Sequence, residues 1–149
     1  MIDNFDRAIL NIVQKDNQVT HAEIGAQVNL SASSVRRRLK AMRKAKVIEA
    51  DVSVVDPGKE MIQAIVMVSF LKESPEGYSA FKQQMIEDPS VAQCYSVSGE
   101  VDMVLIVNAP DLSSYEAWGE RVLMANPMIR RNTTHIVWSR IKFSMAVEF

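Results

Sequence analysis

The chain has 149 residues, 48% of them hydrophobic, 17 Lys or Arg against 18 Asp or Glu, and a net charge of −1. This excludes global disorder and leaves room for one domain or two small ones. Cys94 is the only cysteine and His21 and His135 the only histidines, so an intramolecular disulfide is excluded and a structural zinc site is not expected.

The near-neutral total hides an asymmetry. Residues 1–60 hold ten Lys or Arg and eight acids; residues 61–149 hold seven and ten. No apolar run reaches roughly 18 residues, so no membrane span is expected. The first residues lack the apolar core of a signal peptide, and a cytoplasmic location is expected.

Asp3 can cap a first helix, with Phe5, Ile9, Ile12 and Val13 forming its apolar stripe. A polar break at Asp16-Asn17-Gln18 follows. Thr20 with Glu23 has the form of a capping box opening a short second helix that buries Ile24 and Val28. Gly25 inside that helix costs ~1 kcal/mol relative to Ala, which makes sense if another helix crosses closely there. Asn29 tolerates the left-handed conformation of a tight turn, and Ser31 can cap a third helix.

Ser31 to Ile48 carries seven Lys or Arg and no acid. Val35, Leu39 and Met42 recur at helical spacing, and Ser33, Arg37, Lys40 and Lys44 fall on the opposite side. Three short helices with the charge on the third form a helix-turn-helix pattern, with double-stranded DNA as the partner. Residues near the start of such a helix lie deepest in the groove, so Ser33, Ser34 and Arg37 are candidates for base edges. Arg36, Arg38, Lys40, Arg43 and Lys44 are candidates for phosphates, with Thr20, His21 and Ser31 near the backbone.

Ile48 to Val55 is rich in β-branched residues and reads as a strand before the Asp56-Pro57-Gly58 turn. The expected division is a DNA-binding domain over 1–50, a strand and linker over 51–61, and a second domain over 62–149. In that domain Ile62 to Leu71 reads as a strand, and Tyr78, Phe81 and Met85 as a helix. Val91 to Ser98 and Met103 to Val107 are strands joined by Gly99-Glu100-Val101-Asp102. Tyr115, Trp118 and Val122 mark a second helix, and Ile129 to Val147 contains a long last strand.

The expected class is therefore α+β, with a three-helix helix-turn-helix domain followed by a ferredoxin-like βαββαβ domain. Residues on both sides of the strands are apolar, so a second copy of the chain is expected to cover the free face. There is no phosphate-cradling glycine loop, no cofactor motif and no catalytic constellation. Cys94 and His135 read as packed strand residues, and the chain reads as no enzyme. At Gly99 a backbone without a Cβ can approach a ligand carboxylate, and a nearby acid can hold an ammonium. An ordinary hairpin explains the same residues.

In this order the features resemble the Lrp/AsnC family of transcriptional regulators over nearly the whole length. The resemblance rests on Asp6-Arg7 with Ile9-Leu10, and on Leu30-Ser31 with Val35 and Arg38-Leu39. It rests further on Val47-Ile48, Cys94-Tyr95, Ser98 through Asp102, and Asp111-Leu112 with Tyr115. It implies dimers paired through their sheets, assembling into octamers or related rings, and an amino-acid effector bound near Gly99, Glu100, Val101 and Asp102. Thr133 and Thr134 are further candidates for that pocket. The alternative is an architectural DNA-binding regulator whose second domain only oligomerises. The chain departs from the family at Lys46, where a glycine usually ends the third helix, and Arg130, Arg131 and Trp138 carry no assigned role.

Overall fold

A computed structural model describes residues 2–56, 60–71 and 74–149, and the chain forms two compact units. The first comprises residues 1–55 together with 141–149, the second residues 56–140.

In the first unit, α1 spans Asn4–Val13, α2 His21–Val28 and α3 Ala32–Lys44. Each helix begins on a side-chain oxygen that accepts from a backbone N–H three residues on. Asp3 accepts from Asp6, Thr20 from Glu23 and Ser31 from Ser34, and the first two are complete capping boxes. Ile9, Leu10, Ile24, Val28, Val35, Leu39 and Met42 are buried together as one core. Asn29 takes φ 56°, the left-handed turn expected of it.

Gly25 has a specific reason to be glycine. A Cβ there would lie 2.4 Å from the Leu30 carbonyl oxygen and 3.5 Å from the Ala32 nitrogen. What approaches it is therefore the turn and the first residue of α3.

Helix α3 ends without a glycine. Lys46 takes φ 58°, its N–H donates to the Arg43 carbonyl, and the Val47 N–H donates to the Met42 carbonyl. That pair of bonds is a Schellman ending with a Cβ where one is unfavourable. Replacing Lys46 by Gly is expected to stabilise the helical unit by about 1 kcal/mol less the extra unfolded-state freedom of glycine, so by roughly 0.5 kcal/mol. Thermal melting of the two proteins checks it; a lowered melting temperature would refute the strain.

In the second unit the strands are β1 Ile62–Phe70, β2 Val91–Ser96, β3 Met103–Ala109 and β4 Ile129–Ile136. The helices are α4 Pro75–Glu87 and α5 Leu112–Gly119, and α5 continues into a π-helical turn, Glu120–Met124. All strand pairs are antiparallel, in the order β2-β3-β1-β4. This is the expected βαββαβ arrangement. Ala64, Val66, Val68, Met103, Leu105 and Val107 are buried with Phe81, Met85, Tyr115, Trp118 and Val122 of the helix layer. The alternate residues, Ile65, Met67, Val104 and Ile106, lie on the opposite face and are not buried.

The strand expected over 48–55 is absent, and the last strand is shorter than expected. Residues 50–56 form no ladder, and Val52, Val54 and Val55 are exposed. The last strand stops at Ile136 rather than running toward Val147. Both segments have strand-like sequences, but a strand needs a hydrogen-bonded neighbour, and the described chain gives them none. By packing, residues 141–149 group with the helical unit.

Candidate nucleic-acid interface and sensor loop

The buried stripe of α3 fixes which of its side chains face outward. Ser33, Arg37, Lys40 and Lys44 are exposed on the far side of the helix from Val35, Leu39 and Met42, and Arg36 is exposed on its flank. His21 at the start of α2 joins Ala32, Ser33, Arg36, Arg37 and Lys40 around one concave surface. Among the described residues none of these cations is in an ion pair. The Ser31 hydroxyl donates to Ser34 Oγ at 3.0 Å and lies 3.0 Å from Ser33 Oγ, so three hydroxyls cluster at the helix start. Short polar groups and cations on one helix edge match what a DNA groove and its phosphates require.

Two residues expected at phosphates are placed elsewhere. Arg38 turns back onto α1, with Nη1 2.8 Å from Asp3 Oδ2 and 2.8 Å from Asp6 Oδ1. Its guanidinium carbon lies 5.4 Å from the Phe5 ring centroid, and its Nε is buried without a hydrogen-bond partner among the described residues. The Asp6 backbone N–H, then the Arg38 guanidinium, hold the Asp3 carboxyl below its ordinary range. Arg43 forms a two-pronged pair with Asp51, Nε to Oδ2 at 2.8 Å and Nη2 to Oδ1 at 2.9 Å, which lowers the Asp51 carboxyl. The reason is angular. At 100° per residue, Arg38 and Arg43 flank the buried stripe at roughly 70° from its centre, whereas Arg37 and Lys44 lie nearly opposite it. Thr20 and Ser31 act first as helix caps.

The loop between β2 and β3 contains Gly99 at φ 126°, with open space where a Cβ would be. Gly99 and Glu100 are exposed, and Val101 and Asp102 are half-buried. Asp102 is bound into the sheet. Its Oδ2 accepts from the Phe70 N–H at 2.8 Å, its N–H donates to the Val68 carbonyl at 2.9 Å, and its carbonyl accepts from the Val97 N–H at 3.0 Å. The acid of this loop that reaches solvent is Glu100, whose carbonyl accepts from Ser69 Oγ at 3.4 Å.

Thr133 and Thr134 do not share a pocket with this loop in the single chain. Thr134 stands opposite Val66 and its hydroxyl bonds the Tyr115 hydroxyl, so it faces the helices. Thr133 stands opposite Met67 on the open face, and β1 separates β4 from β3. Burial raises the Tyr115 hydroxyl above its ordinary range.

Cys94 and His135, expected as packed residues, are both exposed, on the two edge strands β2 and β4. Partial burial holds the Cys94 thiol above its ordinary range, which opposes nucleophilic use. No group of His, Cys, Asp and Glu among the described residues could hold a metal ion, and no helix among them is long and apolar enough to cross a membrane.

Two family models match. The AsnC-type helix-turn-helix domain covers residues 2–43, and the Lrp/AsnC ligand binding domain covers residues 63–147. A helix-turn-helix-type transcriptional regulator of Sinorhizobium fredii is 38% identical over 98% of this chain and 88% of its own length. An AsnC family transcriptional regulator from Agrobacterium tumefaciens is 30% identical with a TM-score of 0.87, covering 98% of this chain and 96% of that one. A transcriptional regulator from Neisseria meningitidis, solved with L-methionine, shares the fold at a TM-score of 0.89 and 23% identity, over 99% and 96% of the two chains.

Proposed function

The chain belongs to the Lrp/AsnC family of transcriptional regulators, which are not enzymes, and on that premise we propose that it binds operator DNA through α3 in a manner set by an amino-acid effector. The observation that carries the DNA reading is the exposed stripe Ser33, Arg36, Arg37, Lys40 and Lys44 on a helix whose other side is core. Arg37 and the serines read bases, while Arg36, Lys40 and Lys44 meet phosphates.

The effector reading rests on the ligand-binding-domain match and on the exposed, Cβ-free surface at Gly99 beside Glu100. Because Asp102 is held by Phe70 and the two threonines face opposite ways, a complete pocket needs a neighbouring copy. The open face of Ile65, Met67, Val104, Ile106 and Tyr95 supports that assembly, since a second copy laid against it would bury an apolar surface. Dimers then bring two recognition helices to two half-sites, and rings of dimers place effector pockets between them.

A panel of the twenty amino acids, with L-methionine first, tests the effector reading by thermal shift. A ligand at about a hundred times its Kd stabilises the folded state by ~2.7 kcal/mol and must raise the melting temperature. No shift with any of them, alongside intact DNA binding and oligomerisation, would establish the architectural alternative instead.

A further inference from the structure

A serine hydroxyl has one hydrogen to give and two lone pairs to offer, so a free one can pair with any base. At the start of α3 the neighbours remove that freedom. The Ser31 hydroxyl gives its hydrogen to Ser34 Oγ at 3.0 Å, and its oxygen accepts from the Ser34 N–H at 3.2 Å. Ser31 Oγ also lies 3.0 Å from Ser33 Oγ, within hydrogen-bond distance. With its hydrogen already given to Ser34, Ser31 can only accept from Ser33. The Ser33 hydrogen therefore points back at Ser31, and what Ser33 presents outward is its lone pairs.

Ser33 is also the hydroxyl placed to use this. It is exposed and nearly opposite the buried stripe, whereas Ser34 is half-buried. Arg37 follows Ser33 by four residues, so the two stand one above the other on the same side of the helix. Their separation of roughly 5–6 Å corresponds to one or two base steps. In the major groove adenine N6 and cytosine N4 carry hydrogens, while guanine O6 and thymine O4 do not. An outward lone pair matches an amine. Against a keto oxygen it sets acceptor against acceptor.

We propose that Ser33 reads an exocyclic amine, that of adenine or cytosine, on the strand it faces, and that Ser31 imposes this choice by taking the Ser33 hydrogen. The proposal rests on α3 being the recognition helix, and it adds the class of base read beside the position of Arg37. Ser31 acts here through Ser33, as a positioning residue, besides capping α3. Serine is otherwise an undiscriminating reader, because its hydroxyl turns to suit either kind of base. A second serine two residues back converts it into a selective one.

The test is selection from random duplexes with the full chain, then titration of the selected duplex and its single base-pair changes. Arg37→Ala marks the position read by Arg37, by relaxing it. Within two base pairs of that position the parent should prefer adenine or cytosine over guanine or thymine by about 3- to 10-fold. Ser33→Ala should remove this preference and leave the others as they are. Ser31→Gly separates positioning from capping. Glycine is tolerated at an N-cap with little loss of helix stability, and without the Ser31 oxygen the Ser33 hydroxyl turns freely. This variant should bind guanine and thymine at that position as well as the amines, whereas a weakened cap alone lowers affinity for all sequences alike. Ser31→Asp, which can cap and still accept from Ser33, should keep the parent's preference. A keto preference in the parent, or the parent's preference persisting in Ser33→Ala or Ser31→Gly, overturns the proposal alone. A full chain that selects no sequence overturns the recognition-helix reading and the proposal together.

Discussion

Replacing Arg37 by Ala is expected to weaken binding of the full chain to its preferred duplex by 1–3 kcal/mol, about 5- to 150-fold, and to relax the base preference at one position in each half-site. The duplex is one selected from random sequence against the full-length protein, read by titration at several salt concentrations. Arg36→Ala should instead weaken binding to all sequences alike and reduce the salt slope by about 0.9 for each phosphate it no longer neutralises. Arg38→Met provides the contrast. Its guanidinium lies on Asp3 and Asp6, so the salt slope should stay as it is while the helical unit melts at a lower temperature. A normal melting temperature with a reduced slope for Arg38→Met would show that this side chain leaves α1 for DNA, and an unchanged affinity for Arg37→Ala would dismantle the interface assignment.

Gly25→Ala should destabilise the helical unit by about 2 kcal/mol, within the range for forcing a methyl into a packed site. The sign is informative, because helix propensity alone favours Ala over Gly by ~1 kcal/mol. The obstacle is a backbone carbonyl, that of Leu30, at 2.4 Å from the new Cβ. It cannot rotate away as a side-chain tip could, and moving it shifts the turn that aims α3. For a unit of this size the expected fall in melting temperature is roughly 8 °C or more. The transition of the sheet unit should be unaffected. A rise in stability would mean that the turn yields without cost. Weakened DNA binding below the melting range should accompany the destabilisation, since Ala32 at the start of α3 lies against the same glycine.

Much of this was readable in the sequence because the signals were local. The capping boxes at Asp3 and Thr20, the serine start of α3 and its buried stripe each depend on residues within a turn or two of one another, and each is present. The order of strands and helices after residue 61 followed from apolar runs and breakers in the same way. The helix end at Lys46 is equally local, and its φ of 58° is the strained conformation that a glycine would have relieved. The partners of Arg38 and Arg43 were not readable in this way. Asp3 and Asp6 lie more than thirty residues from Arg38, so nothing local tied that cation to them rather than to a phosphate. The wheel that put Arg37 and Lys44 opposite the apolar stripe also left Arg38 and Arg43 roughly 70° from its centre, and that offset was the available signal. The loop at Gly99 was legible as a connection between two strands, but the hydrogen bonds of its acid were not. Asp102 looked like a ligand for an ammonium, yet it closes the sheet by accepting from Phe70. The strand expected over 48–55 failed for a different reason, since β propensity describes what a segment can pair with and supplies no partner.

Ile141, Phe143, Met145, Val147 and Phe149 alternate with Lys142, Ser144, Ala146 and Glu148, and this has a consequence for handling the protein. Ile141 and Met145 are largely bare to solvent, at 92% and 72% exposure, in a segment with no ladder on either side. Such a stretch is a template for another extended chain, and at high concentration it is where misassembly into β-aggregates would begin. Lys142 and Glu148 interrupt the run with opposite charges and act as gatekeepers against in-register stacking. Ionic strength therefore pulls in two directions: it screens these charges as well as the phosphate contacts of α3. Buffers chosen to keep the protein off non-specific DNA are the ones in which this segment is least protected.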